Sequence, residues 1–275
     1  MCGIAGFSWP DEHLIKSMAD ILQHRGPDDE GVFVNEDVSL GHRRLAILDL
    51  SELGRPPMAY EQGDRRIVIT YNGEIYNFRE IRQDLEGSGY SFKTATDTEI
   101  IAAAYLEWGV DCVDKFNGMW AFAIYDAAAQ RLFLSRDRFG EKPLYYHLQN
   151  GKLIFASEIK AILAHPVKRQ ANKKAVIDYL YKGAANHRLD SFFDGIFMLP
   201  PAHNAIYNLH TGNFSLHKYY EPTFGNRHVS PEEFLATFKN SVQQRLVSDV
   251  PISISLSSGV DSSSVAAITS EFTDI

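Results

Sequence analysis

Cysteine is nearly absent from this 275-residue chain, with only Cys2 and Cys112 present. Two thiols are too few for a disulfide framework, and no clustered Cys/His spacing marks a zinc site or any other metal site. No run of eighteen apolar residues occurs, so no membrane-spanning helix is expected. The first residues also lack the basic-then-apolar pattern of a secretory leader, and a cytoplasmic protein is the expectation. Basic residues are the minority charge, 27 Lys and Arg against 35 Asp and Glu. The resulting net charge of −8 excludes a general electrostatic grip on nucleic acid or an anionic membrane. What remains is globular: 45% hydrophobic and 23% charged residues, and length enough for one large domain or two modest ones.

The hydrophobic pattern alternates between strand and helix periods. Gly3–Phe7 reads as a short buried strand, and Leu14, Ile15, Met18, Ile21 and Leu22 recur at helical spacing up to His24-Arg25-Gly26-Pro27-Asp28, where Gly and Pro stop the helix. Strands are expected at Glu30–Asn35, Val38–His42 and Arg66–Tyr71, the last running into Asn72-Gly73, a strong hairpin signal. Asn77 with Glu80 predicts a capped helix, and Asp97 reads as a cap or first-turn acid of another. Met119–Tyr125 and Arg131–Ser135 form an expected hairpin, followed by strands at Tyr145–His147 and Leu153–Ala156 and a helix capped by Ser157. Short strands joined by hairpins and bracketed by helices predict an α+β fold, antiparallel sheets covered by helices. Lys173–Lys182 reads as helical, Ser191–Tyr220 as irregular and short-stranded, and residues 221–230 as a linker. Beyond the linker the grammar becomes helix (Pro231–Val247), strand (Val250–Leu256), loop (Ser257–Asp261) and helix (from Ser262), a nucleotide-binding pattern.

Cys2 has a particular chemical potential. A small residue at position 2 permits removal of the initiator methionine, and an N-terminal cysteine carries a nucleophile and a base together. Its own α-amino group titrates near ~8 and can take the thiol proton. The plain alternative is a second residue that merely frays in solvent.

Matching motifs decide between these readings. Cys2-Gly3-Ile4, His24-Arg25-Gly26-Pro27-Asp28, Arg44-Leu45-Ala46-Ile47, Tyr71-Asn72-Gly73-Glu74-Ile75-Tyr76-Asn77 and Thr96-Asp97-Thr98-Glu99 resemble the glutaminase domain of class II glutamine amidotransferases. Arg136-Asp137-Arg138-Phe139-Gly140-Glu141-Lys142-Pro143 and Phe155-Ala156-Ser157-Glu158-Ile159-Lys160 narrow the resemblance to glutamine-hydrolysing asparagine synthetases. Leu256-Ser257-Ser258-Gly259-Val260-Asp261-Ser262-Ser263 resembles the pyrophosphatase loop that opens their synthetase domain.

The resemblance implies an N-terminal-nucleophile hydrolase sandwich of four layers, αββα, and glutamine hydrolysis at Cys2. It assigns the oxyanion to the Asn72 side chain and the Gly73 N–H, the glutamine α-carboxylate to Arg44 (with Arg43 as the alternative), and the α-ammonium to Asp97 with Glu74 nearby. Leu45, Ala46, Ile47 and Leu48 are expected to wall the pocket. Asn72-Gly73 as a simple hairpin turn, and Asp97 as a simple helix cap, are the structural alternatives. His24 and His42 receive no catalytic role. No cofactor is implied for glutamine hydrolysis, whereas ATP and Mg2+ are implied for the synthetase reaction on aspartate. Its loop residues here are Leu256, Ser257, Ser258, Gly259, Asp261 and Ser262.

The expected division is a glutaminase domain over residues 2–190, a connecting segment over 191–230 and the N-terminal part of a synthetase domain over 231–275. The family continues for hundreds of residues past the phosphate loop. The expectation is therefore that this chain releases ammonia but lacks the site that would use it, and that the stretch after about 230 has no proper domain core. A different ammonia acceptor, a non-catalytic half partnering a separate synthetase chain, and a homodimer are the alternatives carried with it. Three residues depart from the family pattern: Ser258 for the first loop glycine, Pro56 for a glutamine, and Ala202 for the glycine after Pro200-Pro201.

Overall fold

Side-chain alternation along the strands sets the architecture, which a computed structural model describes over residues 1–183, 189–225 and 228–273. In chain order the first strands are β1 (Gly3–Phe7), β2 (Asp29–Val34), β3 (Ser39–Arg44), β4 (Met58–Gln62), β5 (Arg65–Ile75) and β6 (Gly118–Asp126). They are followed by β7 (Arg131–Arg136), β8 (Tyr145–Gln149), β9 (Lys152–Ala156), β10 (Ile196–Met198), β11 (His203–Asn208) and β12 (Phe214–Lys218). The α-helices are α1 (Glu12–Ile21), α2 (Phe78–Gly87), α3 (Asp97–Trp108), α4 (Ile159–Ile162), α5 (Lys173–Lys182), α6 (Pro231–Gln244) and α7 (Val260–Thr269). One sheet has the order β10-β8-β9-β1-β3-β2 and the other β12-β11-β7-β6-β5-β4, with antiparallel pairing throughout.

Three apolar layers separate and cover these sheets. On β6, Trp120, Phe122 and Ile124 point to one core while Ala121, Ala123 and Tyr125 point to the next. On β9, Leu153 and Phe155 face the same middle layer, and Ile154 and Ala156 face a third. The middle layer lies between the sheets. The first is closed by α2 and α3, and the third by α1 and α4, through Ile15, Met18, Ala161 and Ile162. The result is the four-layer αββα sandwich, with strands buried on both faces and hence rich in apolar residues.

Local signals explain most helix starts. Asp11 caps α1 by accepting from Leu14 N at 2.9 Å, and Asn172 caps α5 by accepting from Ala175 N at 3.2 Å. Ser230 and Glu233 form a reciprocal capping box on α6.

Elsewhere a distant partner outweighs the local signal. Asn72-Gly73 is no turn: both residues lie inside β5, opposite Ala121 and Trp120 of β6. Glycine is required at 73 because a Cβ there would stand 2.2 Å from the Met119 carbonyl oxygen. Asn77 stands at the start of α2 without capping it; its side chain instead donates to Lys115 O and accepts from Asn117 N. Ser157 does not cap α4 either, because its hydroxyl accepts from Ile4 N at 3.0 Å and anchors β1. Thr96, not Asp97, caps α3, accepting from Glu99 N at 3.3 Å.

The chain past residue 230 differs in kind. Val250–Leu256, read as an apolar strand, pairs with no strand among the described residues. In α6 and α7 together only Val242, Ile268 and Thr269 are buried. The expected linker includes 226 and 227, and the expected glutaminase domain includes 184–188; these positions lie outside the described residues.

Candidate active site

Strand pairing delivers the first functional residues together. Gly3 of β1 faces Arg43 of β3, which sets Cys2 beside the chain leaving β3. There Leu45 N donates to Cys2 Sγ at 3.4 Å, and the thiol lies 3.7 Å from Leu45 O. The Cys2 carbonyl accepts from Arg25 Nε at 2.8 Å, and Arg25 Nη1 pairs with Glu158 at 2.9 Å. Glu158 also takes His24 and Lys160, and these hydrogen bonds hold its carboxyl down at about 2 against the opposing effect of burial. Arg25-Gly26-Pro27-Asp28 lies beneath the same chain: a Cβ on Gly26 would stand 2.4 Å from Arg43 backbone atoms, and Asp28 accepts from Ala46 N at 2.9 Å.

A cavity of about 70 Å³ opens at Cys2. Arg44, Leu45, Ile47, Leu48, Asn72, Gly73, Glu74 and Asp97 all line it, whereas Ala46 does not. Arg44 is buried and mostly engaged with its own loop: Nη1 donates to Ser51 O at 3.0 Å, and Nη2 to Leu48 O at 3.2 Å and to Asp49 O. The guanidinium therefore borders the cavity while its two terminal nitrogens hold the loop that forms the wall. Asn72 is fully enclosed, and its Nδ2 has no hydrogen-bond partner among the described residues. An unsatisfied buried amide costs about 1–3 kcal/mol, and Asn72 keeps a donor that the fold leaves uncommitted among the described residues.

The titratable groups are tuned mainly by burial. Asp97 sits at the first turn of α3, where its Oδ2 accepts from Tyr71 Oη at 2.8 Å and from Ile75 N at 2.9 Å. Burial nevertheless raises its carboxyl to about 6, because desolvation of the anion outweighs both hydrogen bonds. Burial also raises the Cys2 thiol and the Glu74 carboxyl above their ordinary values, with Lys142 and Arg245 opposing the shift at Glu74. The chain's terminal amine, on Met1, is pushed down, again chiefly by burial. Cys112 is inert by comparison, buried in the α3 core with its thiol pushed far up.

Among the cavity residues not assigned to the site from the sequence, three bear on its chemistry. His42 lines the cavity with Nδ1 3.1 Å from Thr70 Oγ1 and its Nε2 unpartnered among the described residues. Burial and the nearby Arg44 lower it to about 3, which keeps the imidazole neutral. Lys142 arrives from the Arg136–Lys142 loop, folded by Asp137, whose carboxylate accepts from the N–H groups of Phe139, Glu141 and Lys142. Arg136 completes that loop by donating to the carbonyls of Gly140, Lys142 and Leu199. Met1 also lines the cavity, with its Sδ 3.2 Å from Lys142 Nζ. Only the Arg-Asp-Arg-Phe-Gly-Glu-Lys run hinted at Lys142, and it read as family identity rather than as a loop.

The phosphate-loop candidates lie apart from this cavity. Leu256, Ser257, Ser258, Gly259, Asp261 and Ser262 are not among its walls; all are exposed except Ser262, which is half-buried. Ser257 Oγ and Ser262 Oγ stand 2.8 Å apart, and the N–H groups of Ser257 and Gly259 donate to these hydroxyls at 3.1 Å each. Ala202, where the family has glycine, adopts φ +58°, a left-handed conformation that costs an L-residue about 1–2 kcal/mol. Pro56 lines the Cys2 cavity. Among the described residues no helix is long and apolar enough to cross a membrane.

Comparison with known proteins bears on the family and the fold. A family profile described as a glutamine amidotransferase domain matches residues 1–220, and one described as asparagine synthase matches residues 233–274. A putative glutamine-hydrolysing asparagine synthetase 2 of Methanocaldococcus jannaschii is 39% identical, over all of this chain and 58% of its own length. Glutamine-hydrolysing asparagine synthetase 3 of Bacillus subtilis is 37% identical, over 98% of this chain and 45% of its own. The chain thus spans about half the length of the curated relatives it matches. Among solved structures, the glutamine phosphoribosylpyrophosphate amidotransferase of B. subtilis superposes with a TM-score of 0.58 at 19% identity, covering 80% of this chain and 50% of that one. That likeness extends to the fold alone, an αββα sandwich. With residues 1–220 matched by that profile, the chain belongs to the glutamine amidotransferase domain family, and the relatives named above are glutamine-hydrolysing asparagine synthetases.

Proposed function

We propose that this chain hydrolyses glutamine to glutamate and ammonia at Cys2, once Met1 is removed and the α-amino group of Cys2 is free. The observation that carries the reading is the buried Nδ2 of Asn72, unpartnered among the described residues, on a side chain that lines the same cavity as Cys2. A tetrahedral oxyanion is the chemical species that such a donor awaits.

The steps follow from the groups present. Burial holds the thiol in its neutral form, so a base is needed, and the α-amino group freed on Cys2 itself is the base carried on the same residue. The amine takes the thiol proton as sulfur attacks the side-chain amide carbon of glutamine. Asn72 Nδ2 donates to the oxyanion, with the Gly73 N–H as second donor. Collapse breaks the C–N bond, the proton passes to the leaving nitrogen, and ammonia departs from a thioester. Water then attacks the thioester, giving glutamate and restoring the thiol. Arg44 and the loop it holds receive the α-carboxylate, and Asp97 pairs with the α-ammonium; Glu74 supports that end of the cavity.

The reading extends to the acceptor. The match over residues 233–274 supports aspartate as the recipient of ammonia and asparagine as the product, in company with the rest of a synthetase domain. ATP use is implied by that family, with Mg2+ as its usual companion. The Ser257–Ser262 loop as folded here does not fit a triphosphate: two of its N–H groups are taken by its own hydroxyls, and the preceding segment is unpaired. An active thiol also accords with the reducing cytoplasm.

The test is direct. Met-free chain incubated with glutamine releases glutamate at a steady rate, and Cys2→Ala lowers that rate at least a thousandfold. An added residue upstream of Cys2 has the same effect by removing the free amine. Equal glutamate release from the parent and from Cys2→Ala excludes the proposal.

A further inference from the structure

The segment that follows α6 reaches back to the wall of the Cys2 cavity. Asp249 N donates to Ile47 O at 2.9 Å, and Asp249 Oδ2 accepts from Asp49 N at 2.7 Å, across 200 residues of sequence. The two bonds run in opposite directions between the same two short stretches, which fixes both position and register. Neighbouring contacts reinforce the seat. Gln244 Oε1 accepts from Asn117 Nδ2 at 2.7 Å, the Arg245 guanidinium lies 4.4 Å from the Tyr76 ring centroid, and Val247 packs against the α3 core. Ser248 stiffens the turn, accepting from Val250 N and donating to Val250 O.

Asp49, at the receiving end, is the hub of the cavity loop. Its backbone is held at φ +51°, a left-handed conformation that Asp tolerates when its side chain is bonded locally. Its Oδ1 accepts from Ser51 N and Ser51 Oγ, and its Oδ2 accepts from Ala95 N at 2.9 Å. Its carbonyl accepts from Arg44 Nη2. One residue therefore joins Arg44 to the chain two residues before Asp97, and its only remaining backbone group, the N–H, is held by Asp249.

We propose that Asp249 and Asp49 form a latch by which the segment after α6 positions the glutamine-binding loop, setting Arg44 and Asp97 at the spacing the amino-acid end of glutamine requires. Both are positioning residues, since neither lines the cavity. The latch links the stretch matched by the asparagine synthase profile to the pocket of the amidotransferase domain, so movement in one is felt as glutamine affinity in the other. The proposal rests on glutamine occupying the Cys2 cavity.

Two measurements on the full chain test it. Hydrogen exchange reads the latch itself: in Asp249→Ala the Asp49 amide exchanges at least tenfold faster, and Asp249→Asn, which keeps an acceptor oxygen, restores most of the protection. Steady-state kinetics reads its consequence: Asp249→Ala raises KM for glutamine five- to tenfold with kcat within twofold of the parent, and Asp249→Asn recovers most of the loss. Unchanged protection of the Asp49 amide in Asp249→Ala overturns the latch, whether or not the chain turns over glutamine. A fall in kcat at constant KM overturns the positioning role. A parent chain that releases no glutamate removes the proposed activity alone, and the exchange measurement still decides the latch.

Discussion

Asp97 shows what a single site residue costs the fold. In an unfolded chain its carboxyl titrates near 3.8, but inside the cavity burial raises it to about 6. Between those values the unfolded chain has released a proton that the folded chain keeps. Stability therefore falls as pH rises from about 4 to about 6, and above pH 6 the full penalty is present. At 1.36 kcal/mol for each pH decade the difference is on the order of 2–3 kcal/mol. Asp97→Asn removes the charge while its amide oxygen can still accept from Tyr71 and Ile75. The variant is expected to match the parent in thermal unfolding near pH 4 and to exceed it by 2–3 kcal/mol at pH 7.5, while binding glutamine at least tenfold more weakly. A parent more stable than the variant at pH 7.5 would contradict this account. The opposed effects on stability and binding are the signature of a group retained for a ligand's positive charge rather than for folding. The proposed role rests on the Thr-Asp-Thr-Glu run, and of the two local readings of Asp97, cap or first-turn acid, the second holds because Thr96 takes the cap. Asp49 was not legible at all, because its importance lies in four contacts to residues scattered from 44 to 249.

At the scale of elements, what the sequence disclosed follows the reach of the forces involved. The Asp126–Gln130 hairpin and α5 were readable because turn residues and caps act within a few positions. The continuation of β5 through Asn72-Gly73 was not, since it depends on nine residues of β6 lying opposite in register. That pairing also gives the oxyanion candidate its rigidity: Asn72 lies within the β5–β6 ladder, opposite Ala121. Gly73→Ala tests the dependence. With a Cβ 2.2 Å from Met119 O and 2.8 Å from Trp120 Cα, the backbones of β5 and β6 must separate locally. Overpacking of this kind costs about 1–3 kcal/mol, and denaturant unfolding should register it. Because the separation displaces the Asn72 amide too, glutamate release should fall by more than tenfold, with the loss in kcat rather than in KM. A variant with normal stability would show that the strands yield without cost and that glycine at 73 serves only ligand approach.

Across the whole molecule, the two stretches of chain are unequally supported. Residues 1–220 contain all three apolar layers and both sheets, whereas the later stretch buries little of its own. Phe234, Leu235, Leu256 and Val260 are exposed, so α6 and α7 lack most of the cover that apolar side chains of this size normally find. What fixes this stretch is concentrated at the C-terminal end of α6, in the Gln244, Arg245, Val247 and Asp249 contacts. Beyond Val250 the backbone joins no strand up to Gly259 among the described residues, and the N–H groups of Ser257 and Gly259 are held only by hydroxyls of their own loop, so no ladder protects the amides. Limited proteolysis of the full chain is therefore expected to cut first between residues 251 and 259. Mass spectrometry should show a product ending there before any cleavage within β1–β12, and that product, retaining Asp249 and its seat on the cavity loop, should keep its glutaminase activity within twofold. Early cuts inside the sheets, or resistance of 251–259 equal to that of β6, would mean that the later stretch is braced by interactions stronger than these few contacts.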